Sequence, residues 1–421
     1  MAINRRLGGD NAVRWDFISD RCAQCDQTGQ QQLDLNWTDY DNGILALHIS
    51  GGDVASICAA LLMLEHPQNW FASVYFSDRS IDAVLLAEQL NNRLPELECV
   101  GCSTAGELTP EGILDGDVLV ILLPRSRFTV STLVIDNIAN GGMGDIAGSV
   151  VALRERHQTA ISATTHSQAY AQCLIDGMSN AEEAVTAAIF WGLDDIPLIG
   201  GSAGDHMEFQ RTFVLANGNA RSGRAVVMLV GTDVPFQVFK SDNFIPTTKK
   251  LVVTASDPDK RIVYEFNAAP AVEEYAAAIG IEPSSLTPMS FASHPVVVRV
   301  GGEYFCRSIQ KVNPDGSLSF FCAIDDGVVL TVAQARGMVE STRATLEGID
   351  QSLGGIDMIM GFDCILRRLD AQNRQVFRGM SELYQRYHVI GFGTYGEQYQ
   401  SLHLNQTLTG IAFGKSHKSA A

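Results

Sequence analysis

The chain has 421 residues, of which 46% are hydrophobic and 19% are charged, and its formal net charge is −18. This length gives enough apolar mass for two or three domains without disulfides, and the acidic balance argues against a nucleic-acid or anionic-membrane partner. No apolar run reaches the roughly 18 residues of a membrane-spanning helix, and the nine cysteines, mostly single within apolar stretches, are typical of a reducing cytoplasm.

The amino-terminal stretch is rich in turn-forming and amide residues, so we expect residues 1–40 to form an arm rather than a core element. Arg5 and Arg6 are followed by a polar stretch, which is not the apolar segment of a signal peptide. Cys22 and Cys25 have the spacing of half a zinc site, but no second close pair completes it. Completion by a distant histidine or a second subunit, and a redox-responsive disulfide, remain open.

A regular alternation of short apolar strands and helices begins after residue 40. Its order is strand, helix, strand, helix, strand, a glycine-rich loop and a further strand. Asp53 precedes the first apolar helix and is expected to cap its amino terminus. The predicted elements of this first unit are strand 43–49, helix 53–65, strand 70–77, helix 80–93, strand 97–100 and strand 117–123.

The same order then restarts. Gly101 and Gly200, which begin equivalent loops, are 99 residues apart. Agreement in element order, element length and loop composition indicates a repeated structural unit. The predicted elements of the second unit are strand 128–135, helix 145–158, strand 171–175, helix 181–191, strand 196–199, strand 211–215 and strand 225–230.

A third copy is predicted after a long interruption. Residues 240–325 do not fit the repeat and contain turn signals and strand-like runs, so we interpret them as the front of a second domain. The predicted elements of the third unit are strand 327–332, helix 335–346, strand 356–360, helix 371–386 and strand 407–413.

These patterns predict an α/β protein of two domains, with layered sheets flanked by helices and built from repeated β-α-β-α-β-loop-β units. The expected division is an arm at 1–40, an amino-terminal domain at 41–239 and a carboxy-terminal domain at 240–421. Each unit is expected to end its third strand in a loop bent by glycine.

The three loops read Gly-Cys-Ser-Thr-Ala-Gly-Glu from Gly101, Gly-Gly-Ser-Ala-Gly-Asp from Gly200 and Gly-Phe-Gly-Thr-Tyr-Gly-Glu from Gly391. Backbone N–H groups freed by glycine, beside hydroxyls, can form a concavity for a carboxylate or phosphate. Alternatively, the glycines only let a strand turn, and the hydroxyls satisfy backbone groups. The first loop has the most hydroxyls, so Cys102, Ser103, Thr104 and Glu107 are the candidate ligand-binding residues.

The first two loops, with Phe305-Cys306-Arg307 and Asp315-Gly316-Ser317-Leu318, resemble the FIST family (F-box and intracellular signal transduction). The resemblance covers roughly residues 40–415, including both the FIST N and the FIST C module. It implies a cytoplasmic sensory protein that binds a small ligand and works beside a bacterial histidine kinase or a cyclic-di-GMP enzyme. One subset of the family is similar to nitric oxide sensing proteins, which bind haem and inhibit a partner kinase.

Non-covalent haem needs an imidazole that faces an apolar pocket. His206 follows the second loop beside Met207, and His294 lies between apolar stretches, so these two histidines are the candidate haem ligands. A hydrogen-bonded structural role is the alternative for each. Arg307 follows an apolar run and could clamp a carboxylate such as an amino acid or a haem propionate, or it could form an ordinary salt bridge. Since Asp26 rather than histidine follows Cys25, covalent c-type haem attachment is excluded.

The sequence gives weak support to catalysis. Cys102 has no neighbouring base that would lower its pKa, so a buried structural thiol is the simpler interpretation. No Gly-x-Ser-x-Gly elbow and no His-Glu-x-x-His pair occur. The spacing of the glycines in the third loop matches the Gly-x-Gly-x-x-Gly motif of dinucleotide-binding proteins. In that motif the pyrophosphate binds at a helix amino terminus, whereas a strand-like stretch follows the third loop. We therefore expect no enzyme.

Three functional hypotheses follow. The first is haem-based nitric oxide sensing that modulates a histidine kinase or cyclic-di-GMP signalling. The second is a haem-free sensor of an amino acid or other small carboxylate. The third is a redox or zinc-dependent cysteine switch, and a homodimer is left open in each.

Overall fold

A computed structural model describes residues 2–7 and 34–415. Within these ranges the chain folds into three related α/β units and one inserted β domain. Short strands carry continuous apolar runs because both faces of each sheet are covered. The mixed α/β architecture with sheets flanked by helices is therefore confirmed.

The first unit also includes the strands next to the amino terminus. Asp53 caps helix α1 through its carboxylate, which accepts the Ser56 N–H at 2.8 Å, as the sequence predicted. The elements are β1 (Ala2–Leu7), β2 (Asp34–Asp39), β3 (Leu45–Ile49), α1 (Val54–Leu61), β4 (Trp70–Phe76), α2 (Ala83–Arg93), β5 (Glu98–Ser103), β6 (Glu107–Thr109), β7 (Gly112–Leu114) and β8 (Val118–Pro124).

The second unit repeats this order without the extra amino-terminal strands. Its elements are β9 (Phe128–Asp136), α3 (Met143–Ile161), β10 (Gln168–Ile175), α4 (Glu182–Leu193), β11 (Leu198–Ser202), β12 (Val214–Ala216), β13 (Asn219–Arg221) and β14 (Arg224–Thr232). The third unit begins at once with β15 (Phe236–Ser241) and is then interrupted.

The interruption is the β domain, residues 244–335, which packs its own apolar core. Its elements are β16 (Phe244–Asp257), β17 (Ile262–Phe266), β18 (Ala269–Pro270), α5 (Ala271–Ile279), α6 (Pro288–Ser293), β19 (Val296–Val300), β20 (Glu303–Arg307), β21 (Ile309–Val312), β22 (Leu318–Phe320) and β23 (Val329–Ala335).

The third unit then resumes. Its remaining elements are α7 (Met338–Leu353), β24 (Ile356–Cys364), α8 (Ile365–Asn373), α9 (Phe377–Arg386), β25 (Val389–Thr394), β26 (Glu397–Tyr399), β27 (Leu402–Leu404) and β28 (Leu408–Gly414). We refer to the three units together, 2–7, 34–241 and 338–415, as the repeat core.

All three units have the same sheet topology. The hydrogen-bonded orders are β3-β8-β4-β5, β9-β14-β10-β11 and β15-β28-β24-β25. In each unit the last two strands of this order are parallel, and the others pair antiparallel. A shared topology and register in the three copies explains why the sequence shows one element order three times.

Each unit gives its small hairpin to the sheet of another unit. The β12–β13 hairpin of unit two pairs with β5, and the β26–β27 hairpin of unit three pairs with β11. The β6–β7 hairpin of unit one pairs with β25, which closes the ring. Every sheet is therefore completed by a neighbouring unit, so the three units form one body.

The main apolar core lies between the three sheets. Tyr75 of unit one stacks on Phe392 of unit three with ring centroids 4.6 Å apart, and Tyr170 of unit two contacts Phe413. Separate apolar clusters join each sheet to its own helices. Of the helices in the described ranges, none has the length and apolar character to cross a lipid bilayer.

The repeated glycine has a steric cause. Gly101, Gly200 and Gly391 occupy the same place on the third strand of each unit, opposite a carbonyl of the parallel neighbour. A Cβ atom at any of the three would overlap the backbone oxygen of Val74, Cys173 or Gly361, respectively. Only glycine fits this backbone approach, so the residue marks the repeat.

Three predictions of the elements were wrong. Strand 327–332 belongs to β23 of the β domain, because β15, placed before the insertion, is the first strand of unit three. The helix predicted over 371–386 breaks between α8 and α9, where Gln375 has a φ of 60°. Residues 34–39, expected in an arm, form β2 and bury Leu35 and Trp37. The domain boundary predicted between residues 239 and 240 falls inside β15 and stays a prediction.

Gly200→Ala tests the steric role of the repeated glycine. Because the new methyl group meets the Cys173 carbonyl, we expect a loss of about 1–3 kcal/mol in stability, measured as a lowered Tm. Gly148→Ala, in helix α3 where a Cβ atom meets nothing within 4 Å, is the control and should leave Tm unchanged or slightly raised. Equal Tm values for the two variants would contradict the steric explanation.

Candidate functional site

The three glycine loops meet and hydrogen-bond to one another. The Ala105 N–H donates to the Gly393 carbonyl at 2.8 Å, and the Gly204 N–H donates to the Ser103 carbonyl at 3.0 Å. The Tyr395 N–H completes the set by donating to Ser202 at 3.2 Å. These N–H groups therefore satisfy backbone carbonyls of the neighbouring units, which corresponds to the structural alternative for the loops.

The four candidate ligand residues of the first loop have no exposed surface. The Ser103 hydroxyl accepts the Phe213 N–H at 3.0 Å, and the Thr104 hydroxyl donates to Glu107. Burial raises the pKa of the Cys102 thiol well above its ordinary value, so the thiol stays protonated. None of the four residues lines the cleft described below, and their ligand-binding role stays a prediction.

Six residues after each repeated glycine stand Glu107, His206 and Glu397. Glu397 is fully buried and accepts hydrogen bonds from the hydroxyls of Thr394 and Thr407. Burial raises the pKa of Glu107 to about 7 and that of Glu397 to about 8. Glu397 is therefore held largely as a neutral acid near pH 7, and Glu107 is about half protonated there.

His206 replaces this glutamate in the second unit. Its Nδ1 lies 2.6 Å from an oxygen of Asp115, and a 2.7 Å hydrogen bond joins its Nε2 to the Ser77 hydroxyl. Both ring nitrogens are thus engaged, so neither is available to ligate iron in this conformation. The side chain is 3% exposed.

The other candidate haem ligand, His294, lies in the β domain directly after α6 and is half-buried. Its Nδ1 has no hydrogen-bond partner among the described residues, and its backbone carbonyl accepts the Tyr275 hydroxyl at 2.7 Å. Arg307, on β20, donates to the backbone carbonyls of Cys306 and His403 and so links the β domain to β27. None of His206, His294 and Arg307 lines the cleft described below.

The proposed zinc or redox pair, Cys22 and Cys25, lies outside the described residues. Within 2–7 and 34–415, no group of three or more histidine, cysteine or acidic side chains is arranged to hold a metal ion. The cysteines in those ranges are free thiols.

A cleft of about 390 Å³ separates the repeat core from the β domain. The core wall presents apolar and aromatic groups: Met178, Phe209, Ile365, Leu366 and Tyr395. The opposite wall combines apolar, amide and cationic groups: Lys260, Arg261, Ile262, Gln310, Lys311, Asn313, Ser319, Phe320 and Phe321. This volume and mixture of groups suit a small amphipathic molecule.

Arg261 joins the two walls of the cleft. One of its Nη atoms lies 2.7 Å from a carboxylate oxygen of Glu182 and 2.9 Å from one of Glu183, at the amino terminus of α4. The other Nη donates to the Phe321 carbonyl at 3.0 Å. Burial raises the pKa of Glu182, and the attraction of Arg261 opposes this shift. The ion triad is therefore a charged link between the repeat core and the β domain.

The residues of the cleft are not recognisable from the sequence alone. They come from distant parts of the chain, near 177–182, 209, 260–262, 310–321, 365–366 and 395. No local spacing brings such segments together, since the cleft depends on where the β domain is inserted. The one available signal was the prediction that residues 240–325 lie outside the repeat, because ligand sites favour domain junctions.

Comparison with known families identifies two matches. The model of the FIST N domain matches residues 71–269, and the model of the FIST C domain matches residues 271–400. Together the two matches span most of the repeat core and the whole β domain. No curated protein matches the chain.

Glu397→Gln tests the protonated state of the buried glutamate. A carboxyl whose folded pKa of about 8 exceeds its ordinary 4.5 stabilises the fold fully below about pH 4.5 and loses that contribution as the pH rises through about 8. The Tm of the unmodified chain should therefore fall relative to that of the variant between about pH 5 and pH 8.

The matched control is Glu347→Gln, which changes an exposed glutamate of α7. Its Tm should differ from that of the unmodified chain by an amount that does not depend on pH. A pH-independent difference for Glu397→Gln as well would contradict a neutral Glu397.

Proposed function

Because the chain belongs to the FIST family, we propose that it is a non-enzymatic sensor that binds an amino acid or other small carboxylate in the cleft. FIST domains are associated with the sensing of small ligands in signal transduction. The observation that carries the proposal is the position and charge of the cleft. Its location between the repeat core and the β domain lets one ligand contact both bodies.

The charge of the cleft supports an anionic ligand. Its lining contains three cationic side chains, Lys260, Arg261 and Lys311, and one carboxylate, Glu182. The whole chain, in contrast, carries a net charge of −18. Arg261 is already paired with Glu182 and Glu183, and Lys260 with Asp257, so Lys311 is the lining cation that has no carboxylate partner among the described residues. A carboxylate would accept hydrogen bonds from these cations, which are stronger than bonds between neutral groups.

The connection between the two bodies supports a conformational response. The chain enters and leaves the β domain through neighbouring strands, with Phe244 paired to Ala335 and the Arg336 N–H donating to the Asn243 carbonyl at 2.6 Å. A two-stranded neck of this kind can act as a hinge. On the cleft side, Arg261 forms ion pairs with Glu182 and Glu183. A carboxylate ligand that bound Arg261 would either displace these glutamates or bind beside them.

The neck is anchored in the repeat core by a buried polar network. Arg367 donates to the Asn243 side chain at 3.3 Å and to Asp363 at 2.8 Å, and the Tyr384 hydroxyl donates to the same carboxylate at 2.8 Å. A rotation of the β domain would therefore act on α8 and α9, which carry Arg367 and Tyr384. These helices are the surface through which a ligand signal would reach a partner.

The haem version of the function fits the described residues poorly. No histidine or cysteine of the described chain lines the cleft, and both nitrogens of His206 are hydrogen-bonded. His294 keeps an unbonded Nδ1, but it lies outside the cleft lining. Haem and nitric oxide therefore have support from the family resemblance alone. A histidine kinase or a cyclic-di-GMP enzyme as partner has the same support.

A thermal-shift titration of the full chain with small carboxylates and amino acids tests the proposal. Binding to the folded state should raise the stability with concentration, by about 2.7 kcal/mol at a hundredfold excess over Kd. Lys311→Met should weaken the affinity about tenfold, the scale of one hydrogen bond to a charged group. Lys249→Met, which removes a lysine of the β domain outside the cleft, is the control.

Two results would contradict the proposal. One is the absence of stabilisation by every carboxylate in the series. The other is a Soret band that forms when haem is added, shifts with nitric oxide and is lost in His294→Ala or His206→Ala, which would restore the haem hypothesis.

A further inference from the structure

The segment after the second loop holds an unusual backbone at the cleft. His206, Met207 and Phe209 have φ values of 55°, 70° and 50°, although none of them is glycine. Left-handed conformations of this kind are costly for residues with a side chain and recur at ligand clamps. The fold must therefore supply contacts that hold the segment in place.

Asp205 supplies those contacts. Its carboxylate accepts the N–H groups of Phe209, Gln210 and Arg211 at 2.9, 2.7 and 2.9 Å. The Tyr395 hydroxyl donates to Asp205 and accepts the Met207 N–H at 2.7 Å. This set of bonds fixes the direction in which the Phe209 side chain leaves the backbone.

The result is an aromatic ring presented to the cleft. Phe209 stacks on Tyr395 with ring centroids 4.8 Å apart and an interplanar angle of 26°, yet the residue remains 39% exposed. Both rings line the cleft on the core side. Covering Tyr395 would require neither the strained backbone of Phe209 nor the hydrogen bonds to Asp205 that hold it. We therefore expect a further role for the exposed Phe209 ring.

A second aromatic ring faces it from the β domain. The Phe321 ring lies 6.4 Å from that of Phe209 at an angle of 40°, and Arg261 donates to the Phe321 carbonyl. The Arg261 guanidinium is therefore held against the backbone of the residue that carries the second ring of the cleft. Aromatic faces and cationic groups thus occur together in a single cleft that spans the two bodies.

We infer that the ligand of the cleft is a carboxylate that carries a planar aromatic ring, which packs against Phe209 and Phe321 while the carboxylate reaches the cationic side chains. This inference rests on the proposed function, because it narrows the ligand class of the same cleft. Packing of one aromatic ring on another adds affinity beyond what an aliphatic group of similar size gains from the area that it buries. The aromatic ring of the ligand would also join the core wall to the β-domain wall.

Calorimetry of the full chain with matched probes tests the inference. The aromatic probes are L-phenylalanine and phenylacetate, and the aliphatic probes are L-leucine and 4-methylpentanoate. We expect the aromatic member of each pair to bind about tenfold more tightly. Phe209→Leu, which keeps the apolar volume but removes the ring, should abolish this preference and leave aliphatic affinity within about twofold.

Phe377→Leu, on α9 and outside the cleft lining, is the control and should keep the aromatic preference. If Phe209→Leu lowers Tm strongly, Phe321→Leu provides the same test from the opposite wall. Equal affinity for aromatic and aliphatic probes, or a preference that survives both cleft variants, overturns the aromatic inference and leaves the carboxylate sensor in place. Failure of all four probes to bind counts against both proposals.

Discussion

The close backbone approach at Gly101, Gly200 and Gly391 is the constraint on which the rest of the structure depends. It lets the third strand of each unit run against a carbonyl of its parallel neighbour and then turn into the hairpin of another sheet. Three such turns close a ring, in which each sheet is completed by a neighbouring unit. The three glycine loops, whose sequences suggest binding sites, lie where the three units contact one another. Their polar groups hydrogen-bond across these contacts. Their buried position also explains why the pKa values of Glu107 and Glu397 are raised.

The same loops position the cleft. Tyr395 belongs to the third loop and Asp205 to the second, and their hydrogen bond holds the segment that carries Phe209. The first loop contributes packing, since Ala105 lies beside Tyr395 and Ile365 in one apolar cluster. The opposite wall comes from the β domain, which is attached through a narrow neck, the ion triad at Arg261 and the hydrogen bond from Arg307 to β27. In the proposed function, the core wall is the fixed side of the cleft and the β-domain wall is the side that moves on ligand binding. The family membership and the geometry of the cleft therefore support the same general role.

Much of the fold could be predicted from the sequence, because element order and steric glycines are local signals. The spacing of Gly101 and Gly200 predicted the repeat, and Asp53 was correctly identified as a helix cap. The insertion after β15 was misplaced because an isolated strand pattern does not say which sheet the strand joins. The cleft could not be predicted at all, since Phe209, Arg261 and Phe321 become neighbours only when the β domain docks on the core. The hydroxyls and the thiol of the first loop predicted a binding site there. Burial, which residue type does not reveal, decides whether a ligand can reach such groups.

Hydrogen–deuterium exchange of the full chain, with and without a bound aromatic carboxylate, tests the central claim most directly. If the ligand joins the repeat core to the β domain, backbone amides near 205–211 on one wall and 309–321 on the other should both become protected. Exchange around the first loop should change little, because its amides are already buried and hydrogen-bonded. Protection confined to one wall, or centred on His294 instead of the cleft, would contradict the account.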